Sequence, residues 1–518
     1  MVSALVGLTV VGFVALTERL GSALINAGPW KRLLTPVVGS LVGGWLLFRF
    51  FPDARGSGIP QTRAALVLRN GYISLRTAIG KFVCSSISLG SGVALGREGP
   101  SVHIGGGIAS VAGRRLGLGP EQIRSLIPVG TAAAVAAAFN TPLAAVLFTL
   151  EEILADLHAR VVGSVVIGAA TSWIVLRLIL GDEPLFHVPA YQLVHPIEFV
   201  FYALLGLAGG IVSTLFVKAL LWQRLFFRRI PRRYQAFVPA IGGLIVGLLA
   251  LFEPGVLGVG YNLVSDALNS RMALSSMLIL LVLKGVATSS CYGTGNAGGI
   301  FGPSLFIGAM LGGSVGQFAH SHLPALTGTA GAYALVGMGA VFAGVVQTPM
   351  TSVIMIFETT RDYTIIVPLM IVNLCSYFLA QRLQRVPVYE ALSRQDGLAM
   401  PSSTHRPEPL TVEDAMSAAN PSSPAFTSTA LVHPDETLDE ALQRMAADGI
   451  DEIRVEHRER KRFVGILKKA DVLAAYDRHA IEVSDDADSD PRWLRVLAIT
   501  TVTGILIIAG LVFWQRPR

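Results

Sequence analysis

Residues 87–107 read ISLGSGVALGREGPSVHIGGG. An apolar stretch breaks at Gly96-Arg97-Glu98-Gly99-Pro100 and resumes as a glycine-rich segment. Proline in a first turn starts a helix, where its missing N–H does no harm. Glycine permits an unusual backbone and the close approach of an ion. The free N–H groups and positive end of a helix that begins here favour an anion. Glu98 puts a carboxylate in the same place, which is costly in apolar surroundings unless it has a function. Ionised, it competes with an anion; protonated, it moves away and admits one. The alternative is a glutamate that caps the helix start and pairs with Arg97.

The same grammar recurs at Gly56-Ser57-Gly58-Ile59-Pro60 and at Gly298-Gly299-Ile300-Phe301-Gly302-Pro303, with a weaker fourth cluster at Pro387-Val388-Tyr389-Glu390. Any one of these could be a turn between helices. Three within one apolar region are hard to explain as turns alone. Three helix starts converging at mid-membrane would make an anion site without a full positive charge, so the ion could also leave.

The rest of the chain supplies the membrane. Of 518 residues, 52% are hydrophobic and 15% charged, against about 25% charged in soluble domains; mean hydropathy is +0.57. This composition excludes disorder for the bulk of the chain. A disulfide scaffold is excluded too, because Cys84, Cys291 and Cys375 lie in apolar stretches, and they lack metal-ligand spacing, so no metal site is expected. The 54 glycines suit closely packed membrane helices. A net charge of +6 points to anionic lipid or an anionic substrate rather than to nucleic acid. Residues 431–490 hold 25 of the 76 charged residues. The chain therefore meets two solvents, lipid over about 1–400 and water over about 401–490.

Apolar runs fall at 33–51, 77–95, 126–150, 161–180, 196–222, 236–252, 274–290, 300–318, 332–357 and 364–380. Crossing the ~30 Å bilayer core takes ~20 apolar residues. Several runs are shorter or interrupted by Gly and Pro, which membranes tolerate only where protein or a watery cavity covers the break. That pattern points to a transporter or channel rather than an anchor. The start, MVSALVGLTVVGFVALTERL, has no basic leader or cleavage site and reads as a first helix rather than a signal peptide.

GSGIP, GREGP, GGIFGP and the later Tyr389, in this order and spacing, resemble the CLC family of chloride channels and transporters over about residues 1–400. The resemblance implies an all-α polytopic membrane fold, a homodimer with one pore per subunit, and two inverted repeats at about 1–190 and 195–395. It implies a chloride site lined by the hydroxyls of Ser57 and Tyr389 and by backbone N–H groups at Glu98–Gly99 and Ile300–Phe301. Glu98 matches the gating glutamate and outer proton carrier. Glu152, in AAFNTPLAAVLFTLEEI, matches the inner proton-transfer glutamate and favours a chloride/proton antiporter over a passive voltage- or pH-gated channel, while Glu151 beside it is the alternative with buried polar contacts. Ser at position 57, where Pro would imply nitrate, implies chloride, and the intact GREGP separates the chain from fluoride exporters. Lys81 matches a basic residue that the family places below the pore, and Arg97 sits beside the gate; both are expected to raise the local anion concentration, and snorkelling or buried pairing is their alternative. Glu358 matches a structural residue. Gln61-Thr62-Arg63 departs from the acids often found there, which leaves the local ion-pair network open.

Residues 401–430 read as a linker or the remnant of a first CBS copy, centred on Leu410 to Met416. Residues 431–480 resemble a single CBS module, with an amphipathic helix ending at Gly449, strands EIRVEH and FVGIL, and a second helix KADVLAAY. These modules bind adenine nucleotides between paired copies, so the near-absent first copy argues against a nucleotide here and leaves dimer stabilisation or regulation. Residues 481–492 form an acidic linker, and 493–515 an additional transmembrane helix; its uncharged stretch, 496–514, is ~28 Å long at 1.5 Å per residue. Enzymatic function is not expected, since no Ser/His/Asp set, phosphate loop or metal cluster stands out. The short extramembrane segments and few cysteines point to a bacterial inner membrane.

Overall fold

The structure, a computed structural model, describes residues 1–25, 27–157, 160–181, 185–186, 188, 191, 193–398, 410–418, 431–458, 462–472 and 474–475. The acidic linker at 481–492, the transmembrane helix expected at 493–515 and most of the 401–430 linker lie outside the described residues. The chain divides into two units, Met1–Pro401 and Ser402–Arg518.

The first unit is helical. Its helices are α1 (Val2–Ile25), α2 (Pro29–Arg49), α3 (Ile59–Leu68), α4 (Leu75–Gly90), α5 (Glu98–Arg115), α6 (Pro120–Phe139), α7 (Pro142–Phe148), α8 (Val162–Leu180), α9 (Glu198–Arg228), α10 (Val238–Phe252), α11 (Tyr261–Leu268), α12 (Leu274–Gly293), α13 (Phe301–His322), α14 (Ala330–Val346), α15 (Pro349–Thr360), α16 (Ile366–Leu383) and α17 (Val388–Gln395). Among the described residues, six helices are long and apolar enough to cross a membrane.

Two apolar runs that read as continuous are each two helices. The run 126–150 breaks after α6 at Asn140 (φ 60°), and the run 332–357 breaks after α14 at Gln347 (φ 63°). Each left-handed residue ends its helix. Thr141-Pro142 and Thr348-Pro349 then follow, and a residue before proline is pushed out of the α region. Asn-Thr-Pro and Gln-Thr-Pro are thus the local cause of both breaks.

Packing is close where small residues meet. A Cβ on Gly130 of α6 would overlap the Gly105 carbonyl oxygen of α5, and Gly337 of α14 stands in the same relation to Gly308 of α13. These crossings bring helix backbones together and bury the alanine-rich face of α6 and nearly all of α14. Two lysines tie down loops in a matching way. Lys81 of α4 donates to the carbonyls of Ala54 (3.1 Å) and Gly56, ahead of α3. Lys284 of α12 donates to those of Val256 (3.0 Å) and Gly258 (2.6 Å), ahead of α11.

The second unit, within its described residues, carries α18 (Val412–Ala415), α19 (Leu438–Asp448) and four strands, β1 (Ser417–Ala418), β2 (Leu431–Val432), β3 (Glu452–Glu456) and β4 (Phe463–Lys468). The sheet order is β1-β4-β3-β2, with β2 parallel to β3 and the other pairs antiparallel. Thr437 and Glu440 form a capping box at the start of α19, and Gly449 (φ 64°) ends it. Val412, Val432, Leu438, Met445, Ile453, Val455 and Leu467 form its core.

Leucine at position 130 or 337 would force the paired backbones apart. Each of Gly130→Leu and Gly337→Leu is expected to destabilise the protein by about 1–3 kcal/mol or more, seen as a lowered thermal midpoint in fluorescence-detected size exclusion. Gly117→Leu serves as a control for unfolding by bulk, since Gly117 has open space around it but a φ of +70°; it should cost less than either.

Candidate functional site

The site begins with two glycines. Gly96 and Gly299 form an antiparallel bridge in which each N–H donates to the other's carbonyl at 2.7 Å. The bridge holds the start of α5 beside the start of α13. The segment leading into α3 closes on the same point. A Cβ on Gly99 would stand 2.6 Å from the Ser57 carbonyl oxygen and 3.3 Å from Gly299 Cα, so only glycine lets the three chain segments meet. The first N–H groups of a helix lack intrahelical partners. The convergence therefore concentrates donors from α3, α5 and α13.

The structure brings Ser57, Glu98, Gly99, Ile300, Phe301 and Tyr389 into the buried interior. Ser57 Oγ accepts the Ile59 N–H at 3.3 Å, and the Tyr292 hydroxyl lies beside it. Tyr389 is the second residue of α17, which packs on α3. Its hydroxyl is buried and has no hydrogen-bond partner among the described residues. A buried hydroxyl left so is costly, and it is the kind of donor an anion completes.

Glu98 is 1% exposed. Its Oε2 accepts the Gly302 N–H at 3.2 Å, at the start of α13, and its Oε1 accepts the Tyr261 hydroxyl. Arg97 turns elsewhere: it forms an ion pair with Glu18 of α1, reaches the Ala138 carbonyl at 3.4 Å and covers the Tyr261 ring at 5.1 Å. The simple Arg97–Glu98 pairing considered from the sequence is not the arrangement found.

Glu151 and Glu152 part company because the helix changes pitch. Thr149–Leu154 is a π-helical turn following α7, a feature often found at functional sites. Glu151 accepts the Thr351 N–H (2.8 Å), the Thr351 hydroxyl (2.6 Å) and the Met350 N–H (3.4 Å), and so caps α15. Glu358 of α15 does the reciprocal service for α7, accepting from Leu143 (3.0 Å) and Ala144 (2.8 Å). Glu152 instead turns inward, 4% exposed and 3.5 Å from Arg63 of α3. That ion pair fills the gap left by the absence of acids at 61–63. Phe301, in the first turn of α13, packs on Phe139 (4.7 Å), Phe148 (5.7 Å) and Phe342 (4.2 Å).

Lys81 is wholly buried and bound to the loop that carries Ser57. Three residues escaped sequence reasoning. Lys284 could have been found, because it lies 203 positions after Lys81, the same offset that separates Gly96 from Gly299. Glu390, buried and ion-paired with Arg394 (2.8 Å), had only its place after Tyr389 as a signal. Tyr261 follows Gly258-Val259-Gly260, which carries no motif of its own.

A family model described as voltage gated chloride channel matches residues 38–381. The chain is 34% identical over 385 residues to the H(+)/Cl(-) exchange transporter ClcA of Vibrio campbellii, covering 73% of this chain and 82% of that protein. It is 33% identical over 382 residues to a putative chloride channel protein, ClcB-like, of Ralstonia nicotianae, covering 72% and 89%. Its fold is similar to the crystal structure of a slow cyanobacterial Cl-/H+ antiporter, with a TM-score of 0.70, 29% identity and coverage of 76% of this chain and 96% of that one.

The reciprocal caps predict a structural phenotype. Glu151→Gln and Glu358→Gln should each weaken a carboxylate-to-helix contact and cost about 1–2 kcal/mol, read as a drop in thermal midpoint. The double variant should depart from the sum of the two, because both caps join the same pair of segments.

Proposed function

The chain belongs to the voltage-gated chloride channel family, called CLC above, and we infer from that premise that it is a chloride/proton antiporter of the bacterial inner membrane, a transporter and not an enzyme. One observation carries the mechanism: the Glu98 carboxylate accepts the Gly302 N–H at the head of α13. An acid seated on an anion's donors is at once plug and proton acceptor. When Glu98 takes a proton it loses its charge and its claim on those donors. Chloride then takes the place, bound by N–H groups at Glu98–Gly99 and Ile300–Phe301 and by the Ser57 and Tyr389 hydroxyls. When Glu98 releases the proton outward, its carboxylate returns and displaces the ion. None of the ligands carries a fixed positive charge, so binding stays weak enough for release.

Glu152 is the inner proton donor in this reading. It is buried and paired with Arg63 rather than seated on the helix-start donors, so the two ions share Glu98 but enter from the inner side separately. Lys81 and Arg97 raise the local anion concentration through their charge. The two lysine-tied loops, the two glycine crossings and the reciprocal caps support two inverted repeats, about 1–190 and 195–395. We also propose a homodimer, carried over from the family resemblance, and a single CBS-like module at 431–480 that serves regulation or dimer stability. With one copy, adenine nucleotide is not expected there.

Purified protein in chloride-loaded liposomes, with voltage clamped by valinomycin, should drive protons uphill when a chloride gradient is imposed. Chloride efflux without proton movement in the unaltered protein would overturn antiport. Glu98→Gln should abolish proton movement while chloride still passes, and Glu152→Gln should do the same by cutting the inner supply. Tyr389→Phe, lacking one donor, should weaken chloride binding by up to about ten-fold, measured by isothermal titration calorimetry.

A further inference from the structure

We propose that Tyr261 is a positioning residue that latches Glu98 in the anion's place and thereby sets how strongly the gate competes with chloride. This rests on the reading of Glu98 as the gate. The Tyr261 hydroxyl donates to Oε1 of Glu98 while the Gly302 N–H donates to Oε2, so both carboxylate oxygens are held at once. Hydrogen bonds to an ionised acceptor are roughly twice as strong as neutral ones.

The phenol has little freedom to let go. Tyr261 is the first residue of α11, directly after Gly260, whose φ of +86° sets the entry angle. Its ring meets the edge of Phe186 at 5.6 Å and the Arg97 guanidinium at 5.1 Å. Arg97 is itself held by Glu18 of α1 and by the Ala138 carbonyl of α6. Around the hydroxyl the space is closed as well, since a Cβ on Gly302 would lie 3.0 Å from it. The ring is thus clamped by Phe186 and by an Arg97 that is itself anchored to α1 and α6, and its single polar atom is spent on Glu98.

The latch and the chloride site are therefore in competition. Each bond that holds Glu98 in place must be broken before chloride can use the Gly302 end of α13. The Gly302 N–H follows directly on the Ile300–Phe301 donors assigned to chloride, so carboxylate and ion crowd one helix start, and the Tyr261 hydroxyl biases the contest toward the carboxylate. Removing it should favour the ion.

The test is a double-mutant cycle read by isothermal titration with chloride and by chloride efflux from liposomes. Tyr261→Phe keeps the ring and removes only the hydroxyl. In the otherwise unaltered protein it should tighten chloride binding by about ten-fold, the weight of one charge-assisted hydrogen bond, and raise turnover. In a Glu98→Ala background, where there is no carboxylate to hold, the same substitution should leave chloride affinity unchanged. Tyr261→Leu, which drops the ring too, should repeat the affinity gain at a lower thermal midpoint. Unchanged affinity in the unaltered background overturns the latch. An equal gain in both backgrounds also overturns it, because the hydroxyl would then act on the anion site without Glu98. If Glu98→Ala keeps full proton coupling, the gate assignment itself falls, an outcome separate from the other two.

Discussion

The two hydrogen bonds between Gly96 and Gly299 are what the rest of the site depends on. They join segments 203 positions apart in the chain and set two helix starts side by side in the interior. A side chain at either position would hold the backbones apart, and Gly99 has the same constraint against Ser57. Given that bridge, donors from α5 and α13 must face a common point. Given that point, an acid at Glu98 has nowhere else to put its charge.

Lipid surroundings then explain how buried charges elsewhere are treated. Lys81 and Lys284 are surrounded by backbone carbonyls, Arg97 by Glu18 and a carbonyl, Glu152 by Arg63, and Glu151 and Glu358 by helix N–H groups. A buried ion without such partners would cost several kcal/mol. Like Glu198, which accepts the Gly328 and Val194 N–H groups and the Tyr202 hydroxyl, Glu98 accepts its hydrogen bonds from neutral donors. It is held by an N–H and a phenol, both neutral, and neutral donors can be surrendered to another anion without stranding a countercharge. What sets Glu98 apart is the place of its N–H partner, at the head of α13 beside Ile300 and Phe301.

Much of this was legible because it is local. Glycine and proline at fixed spacing announce helix starts wherever they occur, and the apolar runs announce the membrane. The breaks inside 126–150 and 332–357 were legible in principle, in Asn140-Thr141-Pro142 and Gln347-Thr348-Pro349, but continuous hydropathy conceals them. Glu151 and Glu152 could be named as a pair; which of them caps a neighbour and which faces Arg63 depends on a π-helical turn, and that turn is decided by packing against α15 and α3. Tyr261 was out of reach, because its hydroxyl matters only through a contact with a residue 163 positions away.

The sequence by itself determined the membrane environment, the family and the chemistry available at each helix start, and it singled out Glu98 as the acid set there, since each follows from composition or from residues a few positions apart. Tertiary structure alone decided that Arg97 pairs with Glu18, that Arg63 answers Glu152, that the two halves cap each other's helices and that a phenol holds Glu98. Those are choices among partners of similar chemistry, and in a low-dielectric interior the choice is made by which backbone can approach which, not by which residues are present.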